Sequence, residues 1–175
     1  LEEMEILDET LIVFTGDHGE MLGDFNACQK ANPYESAVRV PLLMRWPERV
    51  EAGRIREELV GCTDLFPTFM DAAGIDHPVL DELPGQSLLS EDGGGHANPR
   101  DEWVACYGMG KGRWLSLRRP GVKYNYYCDN GREELYDLDA DPTEAHNLLL
   151  EGEAGARQTA DEMRARLVEW EIDNG

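Results

Sequence analysis

The feature that most constrains this chain is a strand-like run that ends abruptly on charge. Thr10-Leu11-Ile12-Val13-Phe14-Thr15 is apolar or β-branched nearly throughout and is bounded by Glu9 and Gly16. A continuous apolar run, unlike an alternating one, predicts a strand covered on both faces, as in a parallel sheet layered between helices. It leads directly into Gly16-Asp17-His18-Gly19-Glu20. Residues that follow such a strand emerge beyond its carboxyl end, where open α/β sheets build their ligand sites. Val40-Pro41-Leu42-Leu43-Met44-Arg45-Trp46 predicts a second strand, its proline near the first position, where a missing N–H is tolerated. Residues 16–39 between the two are polar and too long for a turn, and function tends to collect in connections of this kind.

Further along, Asp64 predicts the N-cap of a helix over Leu65 to Ala73, with Pro67 in its first turn and Gly74 as its stop. Residues 76–102 are rich in Gly, Pro, Asp and Glu, include Gly93-Gly94-Gly95, and read as a surface excursion. From Trp103 the pattern changes to short runs, Trp103–Tyr107, Arg113–Leu117, Val122–Tyr127 and Glu134–Leu138. Arg119-Pro120-Gly121 and Asp129-Asn130-Gly131 are turn signals between them, so a small antiparallel sheet is predicted. Ala156, Ala160, Met163, Leu167 and Trp170 recur at helical spacing within Ala154 to Trp170, the core-facing stripe of an amphipathic helix packed on that sheet. The domains expected are residues 1–102 and 103–175. The opening Leu1-Glu2-Glu3-Met4 carries neither initiator methionine nor secretory signal and reads as the end of a helix in a longer protein. No apolar run has the length of a membrane span.

Charge narrows the partners. Sixteen basic residues face 36 acidic ones, a formal net charge of -20, with lysine only at Lys30, Lys111 and Lys123. Such a surface repels nucleic acid and anionic membranes. The acids are spread along the chain, as on a solvated surface, and their excess also suits high salt, where self-repulsion is screened. Cys28, Cys62, Cys106 and Cys128 show neither CxxC nor zinc-ligand spacing, so they are expected to be free, buried thiols, with a lean towards a reducing cytoplasm.

Chemistry concentrates in Gly16 to Asp24. A carboxylate and an imidazole side by side, Asp17 and His18, suit one metal ion, and flanking glycines permit tight turns around it. The plainer alternative is that Asp17 satisfies turn backbone and His18 packs or faces solvent. Glu20 and Asp24 are candidates to orient His18, although Asp24 reads first as a solvated loop carboxylate. Glu35 and Arg39, four apart, are placed to pair on a short helical turn. Tyr34 is expected to pack beneath the site, and Cys28 to pack rather than react. His77, His96 and His146 lack partners at ligand spacing.

Ile12 to Asp24, then Lys30, Tyr34-Glu35 and Val38-Arg39-Val40-Pro41-Leu42, resembles the second metal-binding block of the sulfatases of the alkaline phosphatase superfamily. Thr63-Asp64-Leu65-Phe66-Pro67-Thr68 with Ala73-Gly74-Ile75 is similar to the helix after that block. Lys123-Tyr124, Glu134-Leu135-Tyr136-Asp137-Leu138, Asp141-Pro142 and Asn147-Leu148 resemble the family's C-terminal subdomain. The pieces are ordered from Thr10 to Leu148.

The resemblance implies an α/β fold: the end of an alkaline-phosphatase-like mixed sheet covered by helices, then a small antiparallel sheet with a C-terminal helix. It implies a divalent cation, calcium with manganese or magnesium as alternatives, held by an aspartate pair from an N-terminal motif together with Asp17 and His18. It implies that Lys30 contacts the sulfuryl oxygens of a sulfate ester. The nucleophile is a formylglycine made within Cys/Ser-x-Pro-x-Arg, a motif these 175 residues lack. The family's His-Gly after Leu-Gly-Asp is replaced here by Phe25-Asn26. The chain is therefore expected to be the inactive C-terminal portion of a sulfatase. A phosphonate monoester or phosphodiester hydrolase of the superfamily is the nearest alternative, and a non-catalytic binding or assembly domain the next. Alone, the chain is expected to self-associate through its uncovered sheet.

Overall fold

A computed structural model describes residues 1–89 and 99–174. Gly93-Gly94-Gly95 and His96 lie outside the described residues. Along the chain run β1 (Ile12–Thr15), α1 (Glu35–Val38), β2 (Leu42–Arg45), α2 (Leu65–Ala72), β3 (Trp103–Tyr107), β4 (Trp114–Arg119), β5 (Val122–Tyr127), β6 (Arg132–Asp137), α3 (Leu148–Glu151) and α4 (Ala156–Asn174). They divide into two compact units, Leu1–Asp17 with Val40–Arg100, and His18–Arg39 with Asp101–Gly175.

In the first unit β1 and β2 pair antiparallel, Ile12 opposite Arg45 and Thr15 opposite Leu42. An antiparallel pair is compatible with the mixed sheet expected, although the continuous apolarity of 10–15 by itself suggests a strand of a parallel region. Apolarity on both faces reports how a strand is covered, not the direction of its neighbour. Phe14 and Leu43, opposite each other, remain 62% and 60% exposed. α2 forms where predicted, and Gly74 ends it with φ 66°. Asp64, however, does not cap it with its side chain. Fully buried, its carboxylate accepts the N–H groups of Gly61 and Gln86 at 2.9 Å and grips the Arg100 guanidinium at 2.6 and 2.9 Å. A buried carboxylate with this many donors closes the loop 61–86 rather than the helix end alone.

The second unit is built on the sheet β3-β4-β5-β6, antiparallel throughout. Its two faces differ. Leu115, Leu117, Tyr124 and Leu135 turn to one side and bury against Ala156, Ala160, Met163 and Leu167 of α4, the predicted stripe, with Trp170 partly buried beside them. Alternate residues, among them Trp114, Ser116, Lys123, Asn125, Glu134 and Tyr136, are buried on the other side, where residues 18–39 lie across them.

All four cysteines are free, as predicted, but Cys28, Cys62 and Cys106 are exposed and only Cys128 is partly buried, so burial does not explain them. Among the described residues no helix is long and apolar enough to cross a membrane.

Candidate functional site

Segment 18–39 folds as a loop closed at its neck. Gly19 N–H donates to Ala37 O at 2.7 Å, and Met21 N–H to Gln29 O at 3.0 Å. Glu20 accepts the Gln29 N–H, so its carboxylate closes the neck instead of orienting His18. A Cβ on Gly19 would meet Ser36 O at 2.1 Å, which restricts this position to glycine. Met21 is fully buried and anchors the loop with Tyr34, Ala37, Tyr136 and Leu138. Between these anchors Leu22, Phe25, Asn26 and Gln29 all have positive φ, 49°, 53°, 55° and 69°. Non-glycine residues hold that conformation only where their surroundings over-determine it.

The closed neck brings His18 and Lys30 together. Lys30 Nζ lies 2.5 Å from His18 Nε2, and His18 Nδ1 lies 2.7 Å from Gly19 O. A carbonyl only accepts, so Nδ1 carries the hydrogen; an ammonium only donates, so Nε2 presents its lone pair. This is the tautomer in which an imidazole ligates a cation through Nε2. Asp17, its neighbour in the chain, is exposed at the end of the first unit, two residues past β1; His18 is half-buried at the start of the second. By residue type alone, a carboxylate oxygen and an imidazole nitrogen are the kinds of donor that a divalent cation of intermediate hardness takes. Among the described residues no three His, Cys, Asp or Glu side chains gather as a metal site. The fit is therefore to part of a coordination sphere.

What holds this segment in place is a buried charge cluster that the sequence did not announce. Lys123 on β5, 1% exposed, pairs with Glu35 at 3.0 Å and Glu144 at 2.9 Å; Arg118 on β4 pairs with Glu35 at 2.9 Å. Glu35 thus turns across to the sheet, not to Arg39 as its spacing predicts. The other oxygen of Glu144 accepts the Glu35 N–H at 2.6 Å. Burial pushes the Glu144 carboxyl up, against the pull of Lys123. Beside this cluster Glu134 accepts from Tyr34 and Tyr127 at 3.0 Å and from Asn125 at 3.3 Å. Burial raises both phenols, which keeps them protonated and donating. Tyr34 packs beneath the loop as predicted, stacked on Phe25 with centroids 3.9 Å apart. Lys123 and Asn125 alternate with Tyr124 and Tyr126, which in sequence is the signature of a solvated strand face; segment 18–39 covers that face instead.

His77 serves its own turn, accepting the Val79 N–H, and His146 pairs with Glu151. Lys30 and His18 are the predicted site residues whose side chains the structure brings into contact.

Comparison with known proteins gives a consistent result. Residues 23–173 match the family described as N-sulphoglucosamine sulphohydrolase, C-terminal. An N-acetylglucosamine-6-O-sulfatase of Bacteroides thetaiotaomicron is 31% identical over 167 residues, 90% of this chain and 30% of that protein. Arylsulfatase K of Mus musculus is 33% identical over 162 residues, 86% and 29% of the two. The chain thus spans somewhat under a third of the curated relatives it matches. A protein solved in complex with its substrate D-glucosamine-2-N,6-O-disulfate superposes with a TM-score of 0.84 at 30% identity, over 99% of this chain and 37% of that one. The phosphonate monoester hydrolase of Agrobacterium radiobacter superposes at 0.77 with 28% identity, over 99% and 37%.

Proposed function

The chain belongs to the sulfatase family, as a C-terminal portion of such an enzyme, and from that premise we propose that it serves a sulfuric ester hydrolase. In this reading Asp17 and His18 supply two ligands of a divalent cation, calcium by preference and manganese or magnesium otherwise. Lys30 contacts the sulfuryl oxygens. A formylglycine, carried by a part of the enzyme outside this chain, is the nucleophile. When bound, such a cation would supply Lewis-acid withdrawal of charge from the sulfuryl oxygens. The chain's own residues orient that group: the ammonium of Lys30, with one donor directed at His18, keeps two for its oxygens, and the loop neck fixes the direction from which it approaches. Without the nucleophile the chain by itself is inactive.

The observation that carries this reading is the 2.5 Å approach of Lys30 to His18 Nε2. Twelve residues separate them, and a strained, over-determined loop returns one to the other, an arrangement suited to a binding centre. The substrate is a sulfate ester of a sugar; the N-acetylglucosamine-6-O-sulfatase and the complex with glucosamine disulfate support that class. The charge of -20 supports a partner set without nucleic acid or anionic membrane. Free, exposed thiols favour a reducing compartment such as the cytoplasm. Exposed Phe14 and Leu43 support self-association of the isolated chain.

A second reading, phosphonate monoester hydrolysis, is favoured by the 28% identity to the Agrobacterium enzyme. Both groups are tetrahedral anions, so one assay separates them. The whole enzyme is assayed with an aryl sulfate and with a phosphonate monoester, before and after chelation and on return of calcium. The sulfatase reading expects kcat/KM to favour the sulfate, with activity lost on chelation and restored by the metal. A preference for the phosphonate overturns it.

A further inference from the structure

Tyr107, at the end of β3, stands opposite Trp114 on β4, on the sheet face that carries segment 18–39. Their rings stack with centroids 6.0 Å apart and planes 19° apart. Trp114 is 4% exposed, and its indole N–H donates to Ala31 O at 3.1 Å. Ala31 adjoins Lys30, so the indole ties this aromatic pair to the backbone beside the sulfate-contacting lysine. Tyr107 is 47% exposed. The pair therefore has a fixed, buried half and an open half. The tip that joins the two strands is Gly108-Met109-Gly110-Lys111-Gly112, with φ of 78°, 70° and 82° at its three glycines. Asp129 anchors the tip by accepting the Gly112 N–H at 2.5 Å.

Lys111 is exposed at that tip. Of the three lysines, Lys123 is neutralised in its buried cluster and Lys30 faces His18. Among the described residues Lys111 makes no salt bridge within 4 Å. In a chain of net charge -20, an exposed lysine without an ion pair among the described residues, on the tip that follows Tyr107, is suited to an anionic group on the ligand.

We propose that the β3–β4 hairpin, through Tyr107 backed by Trp114 and through Lys111, is a subsite for the sugar ring of a sulfated saccharide whose sulfate is held at Lys30. An aromatic face takes the C–H face of a pyranose, and the buried indole prevents the phenol from turning away. Lys111 then meets an anionic substituent elsewhere on the same saccharide. This subsite rests on the sulfatase reading for its sulfate anchor but not for its own chemistry.

The test follows backbone amide and Trp114 indole resonances of this chain by NMR, titrated separately with glucosamine 6-sulfate, glucosamine 2,6-disulfate, inorganic sulfate and 4-nitrophenyl sulfate. The sulfated sugars are expected to shift residues 18–30 and the hairpin 107–114 together, and inorganic sulfate residues 18–30 alone. Tyr107→Ala should weaken glucosamine 6-sulfate by roughly threefold to tenfold while leaving inorganic sulfate unchanged. Lys111→Ala should weaken the disulfate more than the monosulfate. Lys111 is at an exposed position, and because Tyr107 stacks on Trp114, unchanged amide resonances of the C-terminal helix serve as the control that Tyr107→Ala leaves the fold intact. Sugar sulfates that shift residues 18–30 but not the hairpin, or a Tyr107→Ala chain that binds them with wild-type affinity, overturn the subsite while sparing the functional reading. Hairpin shifts that persist without any response at 18–30, and that ignore Lys30→Ala, sustain the subsite and overturn Lys30 as the sulfate contact. Equal weakening of 4-nitrophenyl sulfate by Tyr107→Ala overturns the sugar preference.

Discussion

Lys123 is the residue on which the candidate site most depends without belonging to it. Its ammonium is buried between Glu35 and Glu144, and both carboxylates sit on the segments it joins. Removing one partner of a buried ion pair leaves the other charge uncompensated, so Lys123→Met is expected to cost about 3–5 kcal/mol in urea unfolding. Pairing that substitution with Glu144→Gln should recover part of the loss, because the orphaned charge goes with it; strict additivity would contradict the coupling. Gly19→Ala makes a separate prediction: its Cβ would fall 2.1 Å from Ser36 O, so destabilisation of roughly 1–3 kcal/mol is expected, with shifts at His18 and Lys30. These residues differ in legibility. Asp17, His18 and Lys30 are legible because they sit in a short, ordered motif after a strand. Lys123, Glu144 and Glu134 are not, since a polar residue alternating with tyrosines looks solvated until the covering segment is known.

At the scale of elements, α4 and the four-stranded sheet were legible because their periodicities are local: the stripe from Ala156 to Leu167 and the turn residues at 119–121 and 129–131 each fall within one window. The β1–β2 pairing was not, because strand direction is decided by a partner 30 residues away. α4 is held by its stripe and by Glu133 on β6, which accepts from Arg157, Arg164 and Tyr124. The Arg157 hydrogen bond outweighs burial and holds the Glu133 carboxyl below the usual glutamate range. A carboxyl so depressed contributes stability above its unfolded pKa and loses it as pH falls through the folded value. The thermal midpoint of the wild type should therefore fall more steeply than that of Glu133→Gln between about pH 5 and 3. Parallel slopes would detach Glu133 from the stability of the helix. Leu167→Ala, at a position 2% exposed in the same stripe, is expected to cost about 2–5 kcal/mol.

Across the whole molecule the governing quantities are charge and uncovered surface. With 36 acidic residues against 16 basic ones, self-repulsion opposes the compact state, and molar salt shortens its range to roughly 3 Å. The thermal midpoint should consequently rise from dilute buffer to molar sodium chloride; a flat or falling midpoint would mean that paired arginines, not net repulsion, dominate. The exposed Phe14–Leu43 pair on the β1–β2 sheet predicts association of the isolated chain in sedimentation, relieved by Leu43→Lys, and a clean monomer would contradict it. Both properties are secondary to the claim that residues 17, 18 and 30 belong to a sulfate-ester hydrolase. That claim is tested most directly by steady-state kinetics of the whole enzyme on a sugar sulfate, comparing wild type with His18→Ala and Lys30→Ala. The account predicts that each substitution lowers kcat/KM by about a hundredfold to a thousandfold, with His18→Ala also weakening the bound metal. Turnover within about threefold of wild type, less than 1 kcal/mol of transition-state stabilisation, would contradict it.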